Sequence, residues 1–546
     1  MRTAIYAGVS VLALSAASPL LAQAAVPADC AGVTGSCSVI DSVGDNNDVA
    51  VTQDGSGNVS EILQDAIGAN ASVTQDGNGN LSNVDQFDDE VTLADPNAIV
   101  VQTGDLNTSD VTQSAAGLGA NGLLATVNQT DGATSIVNQN ANGTNASAIT
   151  STVTQIGTVS SEINQTLNGD DALNFNATVN QAGAGLSSVI NQTDVGNGDF
   201  DFVANVTQTG ADNSSIIDQT NRRQTTNVTQ SGTNGRSEVT QNGNRNTVDV
   251  IQAGDGNLVE IDQGAVLDTA FVQQGAVSSG NTAEVTQDGD RRSEATIFQL
   301  GTNSGAGIEQ SANSRRDVAA IIQGVDADDN GAGIVQTGGP VAGVNSNNAA
   351  LIDQSGGTGN ASLIEQSGTG NLTENLQSGS LNFSTVVQTG TNGSVFVDQI
   401  DAITPASVNG NFSEVEQDGD GNTINLAMAG NDGVSGVFQY GGTNNSVSLT
   451  QTADGNESQV EQGFNGGNDN TATITQAGLG NTSIIAQGNN LLSANNIATI
   501  DQQGDDNLSL LAQDGDSNNA AVNQLGGGSV SDITQNGVGN SVIVTQ

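Results

Sequence analysis

Along most of the chain, β-branched and small residues alternate with polar ones, and each short alternating run closes on a glutamine. In Val73-Thr74-Gln75-Asp76-Gly77-Asn78-Gly79-Asn80-Leu81-Ser82-Asn83-Val84-Asp85-Gln86, this alternation puts Asn80, Ser82, Val84 and Gln86 on one strand face. Leu81, Asn83 and Asp85 fall on the other. The pattern predicts a strand of about seven residues. Asp76-Gly77-Asn78-Gly79 holds residues that accept positive φ and tight reversal, so the chain is expected to turn there. Strand and turn together fill the eleven-residue interval from Gln75 to Gln86.

The interval recurs through Gln53, Gln64, Gln75 and Gln86, then from Gln208 through Gln219, Gln230, Gln241 and Gln252 to Gln263. It returns at Gln502, Gln513, Gln524, Gln535 and Gln546, and about forty units fit between Val51 and Gln546. Two strands and two turns close a coil of about 22 residues, and stacking coils pairs each strand with its equivalents above and below. The predicted fold is therefore all-β, an elongated β-solenoid of tandem eleven-residue strand-turn units with amyloid-like cross-β stacking. Its Gln and Asn side chains should point inward as amide ladders, each carbonyl accepting from the neighbouring amide, beside a Val/Ile ladder. The ladder positions named by the pattern are Gln53, Gln64, Gln75, Asn80, Val84, Gln86, Gln230, Gln241, Gln252, Gln366, Asn371, Gln377, Gln513, Gln524, Gln535, Asn540 and Gln546. A disordered polar tract would need no fixed phase between Gln, Gly, Asn and the β-branched position, yet the phase returns after each irregular spacing.

Composition supports this choice. With 2% aromatic residues, no Trp and 70 Gly, a layered core of bulky side chains cannot be built. The net charge of −50 comes from 59 acidic side chains against nine arginines, with no Lys. Such a field repels nucleic acid and anionic membrane, keeps the chain soluble before assembly, and on sign excludes a basic-patch binding function. Without His there is no Ser-His triad and no His metal ligand, so an enzyme is not expected.

Gln75-Asp76-Gly77-Asn78-Gly79-Asn80, with Gln86 eleven residues on, resembles the curlin repeat, the unit of bacterial curli subunits. Gln366-Ser367-Gly368-Thr369-Gly370-Asn371 with Gln377, and Gln535-Asn536-Gly537-Val538-Gly539-Asn540 with Gln546, carry the same likeness. The resemblance implies export in an unfolded state through a dedicated outer-membrane channel and self-assembly into cross-β fibres with a nucleator subunit. It also implies a place at the bacterial cell surface, in adhesion and biofilm matrix. This chain has many more units than the family's typical subunit and is more acidic, and Met428 replaces the ladder glutamine in Asn425-Leu426-Ala427-Met428.

Residues 1–24 read as a signal peptide: Arg2 supplies the positive start, Ala4 to Ala17 the short apolar stretch, and Ala22-Gln23-Ala24 the cleavage signal ahead of Ala25. Residues 25–50 form an N-terminal segment whose Cys30 and Cys37 are expected to pair locally rather than remain free thiols in an oxidising compartment. No later stretch is long and apolar enough to predict a membrane span. The repeat region is 51–546. From Gln86 to Gln208 every second interval lengthens to sixteen residues, which should enlarge one edge of each coil, with Phe87 to Asp95 and Asn197 to Phe202 on that irregular side. Residues 51–207 thus carry alternate long loops, and 208–546 is more regular with insertions.

Asp326-Ala327-Asp328-Asp329-Asn330-Gly331 resembles the opening of a calcium loop, but Thr337 stands where the closing Glu belongs. The eleven-residue period and repeated Gln argue against a calcium-binding nonapeptide roll. No cofactor is expected beyond weak screening of the acidic surface by cations. Arg222-Arg223, Arg291-Arg292 and Arg315-Arg316 fall near turns, either as charge that offsets acidity or as gatekeepers against lateral aggregation. Regular outward Thr arrays, which ice binding would need, are missing. A monomeric acidic adhesin is the alternative to a fibre subunit; the strand Ser541 to Gln546, which reads as uncapped, favours assembly.

Overall fold

The computed structural model describes residues 28–546 apart from 32, 89–94, 118–120, 146, 171–172, 195–200, 290, 312–313, 339–345, 400–409, 464–466 and 489–492. The signal-peptide region, with Ala24 and Ala25, lies outside the described residues.

Successive strands alternate between two parallel sheets of 21 strands each. One starts at Cys37–Val43 and the other at Asp48–Asp54. Each strand pairs with those one coil before and after it: Arg236–Gln241 lies between Ser214–Thr220 and Leu258–Gln263. The register places like on like, as Gln241 against Gln263 and Gln252 against Gln274. The second sheet runs from Asp48–Asp54 to Ser541–Thr545 as an open stack, without a pairing that joins these two strands among the described residues. With 21 strands per sheet at about 4.8 Å per step, the solenoid is on the order of 100 Å long.

The period-two pattern is realised as three inward columns per sheet. Small residues line the outer column, Ser82, Ser109 and Ser135 in the first sheet but Ala71, Ala98 and Ala125 in the second. The central column is aliphatic and mostly β-branched, for example Val84, Val111 and Val137 facing Val73, Val100 and Val127, all buried. The third is glutamine. Because the aliphatic columns touch from coil to coil, they form one continuous apolar cluster from Ile62 to Ile533 without large rings.

Two features differ from the sequence pattern. Parallel pairing begins at Cys37, inside the segment 25–50, since Cys37–Val43 and Asp48–Asp54 pair with Val59–Asp65 and Asn70–Asp76. Ser42 occupies the glutamine column there, so the marker residue is missing; its hydroxyl donates to Gln64 Oε1 at 3.0 Å. The lengthened intervals do fall on one edge, each joining a first-sheet strand to a second-sheet strand. That edge, however, is not merely irregular. Second-sheet strands extend into it, as Ser147–Ile156, Leu173–Ala184 and Phe202–Ala211, and bury a second apolar column of Ala115, Leu123, Ala141, Ile149, Leu167, Phe175 and Phe202. Phe87 lies in the strand Leu81–Asp88, and the loop that follows at 89–94 is outside the described residues.

One central position breaks the aliphatic column. Asn375 is stacked between Ile352 and Val397, where its amide donates to Ser362 Oγ at 2.6 Å while its Oδ1 has no partner. An orphaned buried carbonyl costs about 1–3 kcal/mol. Asn375→Val is therefore expected to raise the resistance of this coil to denaturant by about that amount, read as slower hydrogen exchange of residues 372–377; unchanged or faster exchange would contradict the account.

Candidate assembly surface and its ladders

The glutamine column is built from amides whose donors and acceptor are used in two directions. Along the stack, Nε2 donates to Oε1 of the next coil: Gln53 to Gln75 at 2.7 Å, Gln64 to Gln86 at 2.9 Å, and Gln75 to Gln102 at 2.8 Å. The same contact links Gln230 to Gln252 at 2.6 Å, Gln241 to Gln263 at 2.8 Å and Gln252 to Gln274 at 3.0 Å. It continues from Gln366 to Gln388 at 3.0 Å, Gln377 to Gln399 at 2.8 Å, Gln513 to Gln535 at 2.7 Å and Gln524 to Gln546 at 3.2 Å. Across the coil, Nε2 also donates to a backbone carbonyl of the facing sheet, as Gln75 to Val59 at 3.0 Å and Gln86 to Asn70 at 3.0 Å. This cross-sheet bond was not foreseen from sequence; it follows from the second N–H of a primary amide, which must find its own acceptor when buried.

Asparagine behaves differently from the expected amide-to-amide ladder. Its Oδ1 chiefly accepts a backbone N–H from the next coil: Asn80 N donates to Asn58 Oδ1 at 3.1 Å and Asn107 N to Asn80 Oδ1 at 2.9 Å. Its Nδ2 donates to turn carbonyls, as Asn371 to Ser367 O at 2.8 Å and Asn540 to Asn536 O at 3.0 Å. The short side chain places the amide over the turn rather than within reach of the facing strand. Asparagine therefore caps turns, and glutamine ties sheets. Asn80, Val84, Gln86, Gln241 and Asn371 are fully buried, whereas Gln53 is half-buried and Asn540 and Gln546 in the last coil are exposed.

Where glycine stands two residues after a ladder glutamine, it answers to the closeness of the stacked turns. Gly77 has φ 125°, and a Cβ there would lie 2.0 Å from the carbonyl oxygen of Gly104 in the next coil. Cys30 and Cys37 are joined as a disulfide, tying the short turn Ala28–Cys30 to the first strand. In the calcium-like segment, Asp328 Oδ1 is engaged by Thr302 of the previous coil. Among the described residues no group of three or more His, Cys, Asp or Glu is placed to hold a metal ion. No helix among them is long and apolar enough to cross a membrane.

Outward positions carry the acidity, and like charges stack. Glu238, Glu260 and Glu284 are register partners in successive strands. Burial, and then the carboxylates of Glu238 and Glu284, hold Glu260 above the usual carboxylate range. Asp110 is raised by burial and by Asp85.

Two parallel sheets closed over columns of glutamine, asparagine and aliphatic side chains define a β-solenoid of the cross-β type. Three of its segments, 44–87, 442–478 and 494–526, match the family model of the curlin associated repeat, so the chain carries curlin repeats. No curated protein matches it.

Two irregularities make the ladder testable. Met428 takes a glutamine position; Gln399 Nε2 reaches its sulfur at 3.9 Å, while Gln451 Oε1, which expects a donor there, is buried without a partner. Met428→Gln is expected to complete the ladder and to stabilise these coils by about 1–3 kcal/mol in chemical denaturation, and a loss of stability would refute the ladder's energetic role. Asp268 takes an asparagine position. Its Oδ1 accepts Ser293 N at 3.0 Å, but its Oδ2 is buried and orphaned, and burial pushes its pKa up to about 7 against the opposing backbone N–H donors. With the folded-state value above the unfolded one, stability falls as pH rises from about 4 to 7 and then levels off. Asp268→Asn should therefore stabilise the protein by about 2–4 kcal/mol at pH 8 and by little at pH 4. A pH-independent difference in denaturation midpoint would exclude this assignment.

Proposed function

We propose that this chain is a secreted structural subunit that self-assembles into curli-like extracellular fibres serving cell adhesion and biofilm matrix. The observation that carries the proposal is the identity of bonding requirements from coil to coil. Each coil offers one row of backbone donors and acceptors and one pair of glutamine amides upward, and the complementary row downward, in the same register through 21 strands per sheet. A surface that satisfies a coil of its own chain therefore satisfies a coil of another copy, which is the condition for templated strand addition.

The curlin-repeat family consists of structural proteins of extracellular surface fibres, and nothing in the ladder columns demands catalysis. On the same reading, residues 1–24 direct export, the chain passes a curli-type outer-membrane channel before folding, and a nucleator subunit starts the stack. The −50 charge keeps unassembled copies apart until salt screens it.

Incubation of purified residues 25–546 at physiological salt should give fibres that bind an amyloid dye and diffract at about 4.7 Å along the fibre axis and about 10 Å across it. A protein that stays monomeric by sedimentation under these conditions, with and without seeds, would instead favour the single-copy adhesin.

A further inference from the structure

Seven of the nine arginines are gathered by the fold on one edge, although net charge alone argues against any basic surface. They occupy the first-to-second-sheet turns of five consecutive coils: Arg222 and Arg223, then Arg245, then Arg291 and Arg292, then Arg315 and Arg316, with Val266 and Leu267 in the middle coil. The order is set by backbone contacts. Arg222 bridges to Asn244 and Asn244 to Val266, Arg292 N donates to Val266 O at 3.0 Å, and Arg316 N donates to Arg291 O at 3.0 Å.

Two further observations mark the edge as more than scattered charge. Arg223, Arg245, Arg292 and Arg316 sit at φ 50°, 63°, 61° and 62°, a left-handed position that Gly370 and Gly421 fill in later coils without a Cβ penalty. Arginine stands at this turn position in four of the five coils. Arg245, Arg291, Arg292 and Arg316 are also exposed, so their guanidinium groups are presented outward.

The complementary surface lies on the first sheet of the same coils. Glu238, Glu260 and Glu284 form an outward carboxylate column with one group per strand, and Arg236 lies 3.0 Å from its first member, Glu238. Burial raises Glu260 first and the neighbouring carboxylates add to it, so cations brought to the column would relieve the second contribution. Arginine edge and carboxylate column share the strand spacing of about 4.8 Å, so parallel or antiparallel axes keep several pairs in step. Val266 and Leu267 interrupt the positive edge with apolar surface, which suits a protein face better than a continuous polyanion.

We propose that the arginine edge of one copy docks on the Glu238–Glu260–Glu284 column of a second copy, joining solenoids side by side. Each copy carries both surfaces on different sides, so the contact is heterologous and repeats without closing, giving bundles or sheets of stacks. It rests on the fibre reading only where fibres serve as the readout, because the same contact joins soluble copies.

The test is a charge swap. One chain carries Glu at Arg245, Arg291, Arg292 and Arg316, and a second carries Arg at Glu238, Glu260 and Glu284. Fibre width in electron micrographs reads side contact, and elongation rate reads axial stacking. Each variant alone should elongate like the parent but lose bundling at least tenfold, and an equimolar mixture should restore it. A milder chain with Arg245→Asn, Arg291→Asn, Arg292→Asn and Arg316→Asn, whose left-handed positions 245, 292 and 316 accept Asn, should lose bundling equally and guards against misfolding. If no variant or parent forms fibres, the function proposed above fails, and sedimentation of the soluble mixture still reads the side contact as a heavier species that neither variant forms alone. Bundling unaffected by the swaps, or lost and not restored by mixing, overturns the proposal; the second result would assign the edge to a polyanion.

Discussion

A primary amide shut away from water must place two N–H donors and a carbonyl oxygen, or leave a cost of about 1–3 kcal/mol for each group unmade. In this solenoid the glutamine side chain meets that requirement through one donor to the next coil, one to the facing strand and an acceptor turned to the previous coil. The geometry follows from this. Gln86 can reach both Gln113 Oε1 and Asn70 O only if the strands are parallel, in register, and separated by a side chain's length across the coil. A shift of one residue in register would turn every glutamine outward and leave the facing carbonyls uncovered.

The turns and the outer faces adjust to that interior. Stacked turns approach so closely that glycine is needed where Gly77 meets Gly104. Outside, rows of carboxylates repeat at the strand spacing, and their mutual repulsion adds to burial in raising Asp110 and Glu260. The interior therefore holds coils together while the surface resists further association, and ionic strength shifts that balance because it screens the exposed charges and leaves the buried amides untouched.

The coil, its two strands, and the inward direction of Asn80, Val84 and Gln86 could be read from period two nested within period eleven, because each strand buries one face and repeats a chemically distinctive residue. The cross-sheet bond was hidden, since sequence names the amide but not the acceptor opposite it. The first coil was hidden because Ser42 replaces the marker glutamine. The second apolar column under the long edge was hidden because Leu123, Ile149, Phe175 and Phe202 lie in stretches that break the period. The arginine edge escaped for another reason: residues separated by about 22 to 25 positions become neighbours only once coils are stacked, and a sum over the chain reports acidity alone.

The two amide columns differ in what they tolerate, and bonding explains the difference. Among the described strands, the glutamine column departs from Gln only at Ser42 and Met428. The asparagine positions also accept Asp268, Ser293, Asp317 and Gly433. Asparagine's contact along the stack needs only an acceptor, and a carboxylate supplies one: Ser293 N donates to Asp268 Oδ1, and Asn348 N to Asp317 Oδ1 at 2.8 Å. A change there loses the donor to a turn carbonyl and leaves Oδ2 orphaned, a local cost next to solvent-facing turns. A change in the glutamine column breaks contacts in two directions at once, to the next coil and to the facing sheet. The column that joins sheets as well as coils is accordingly the one in which the residue hardly varies.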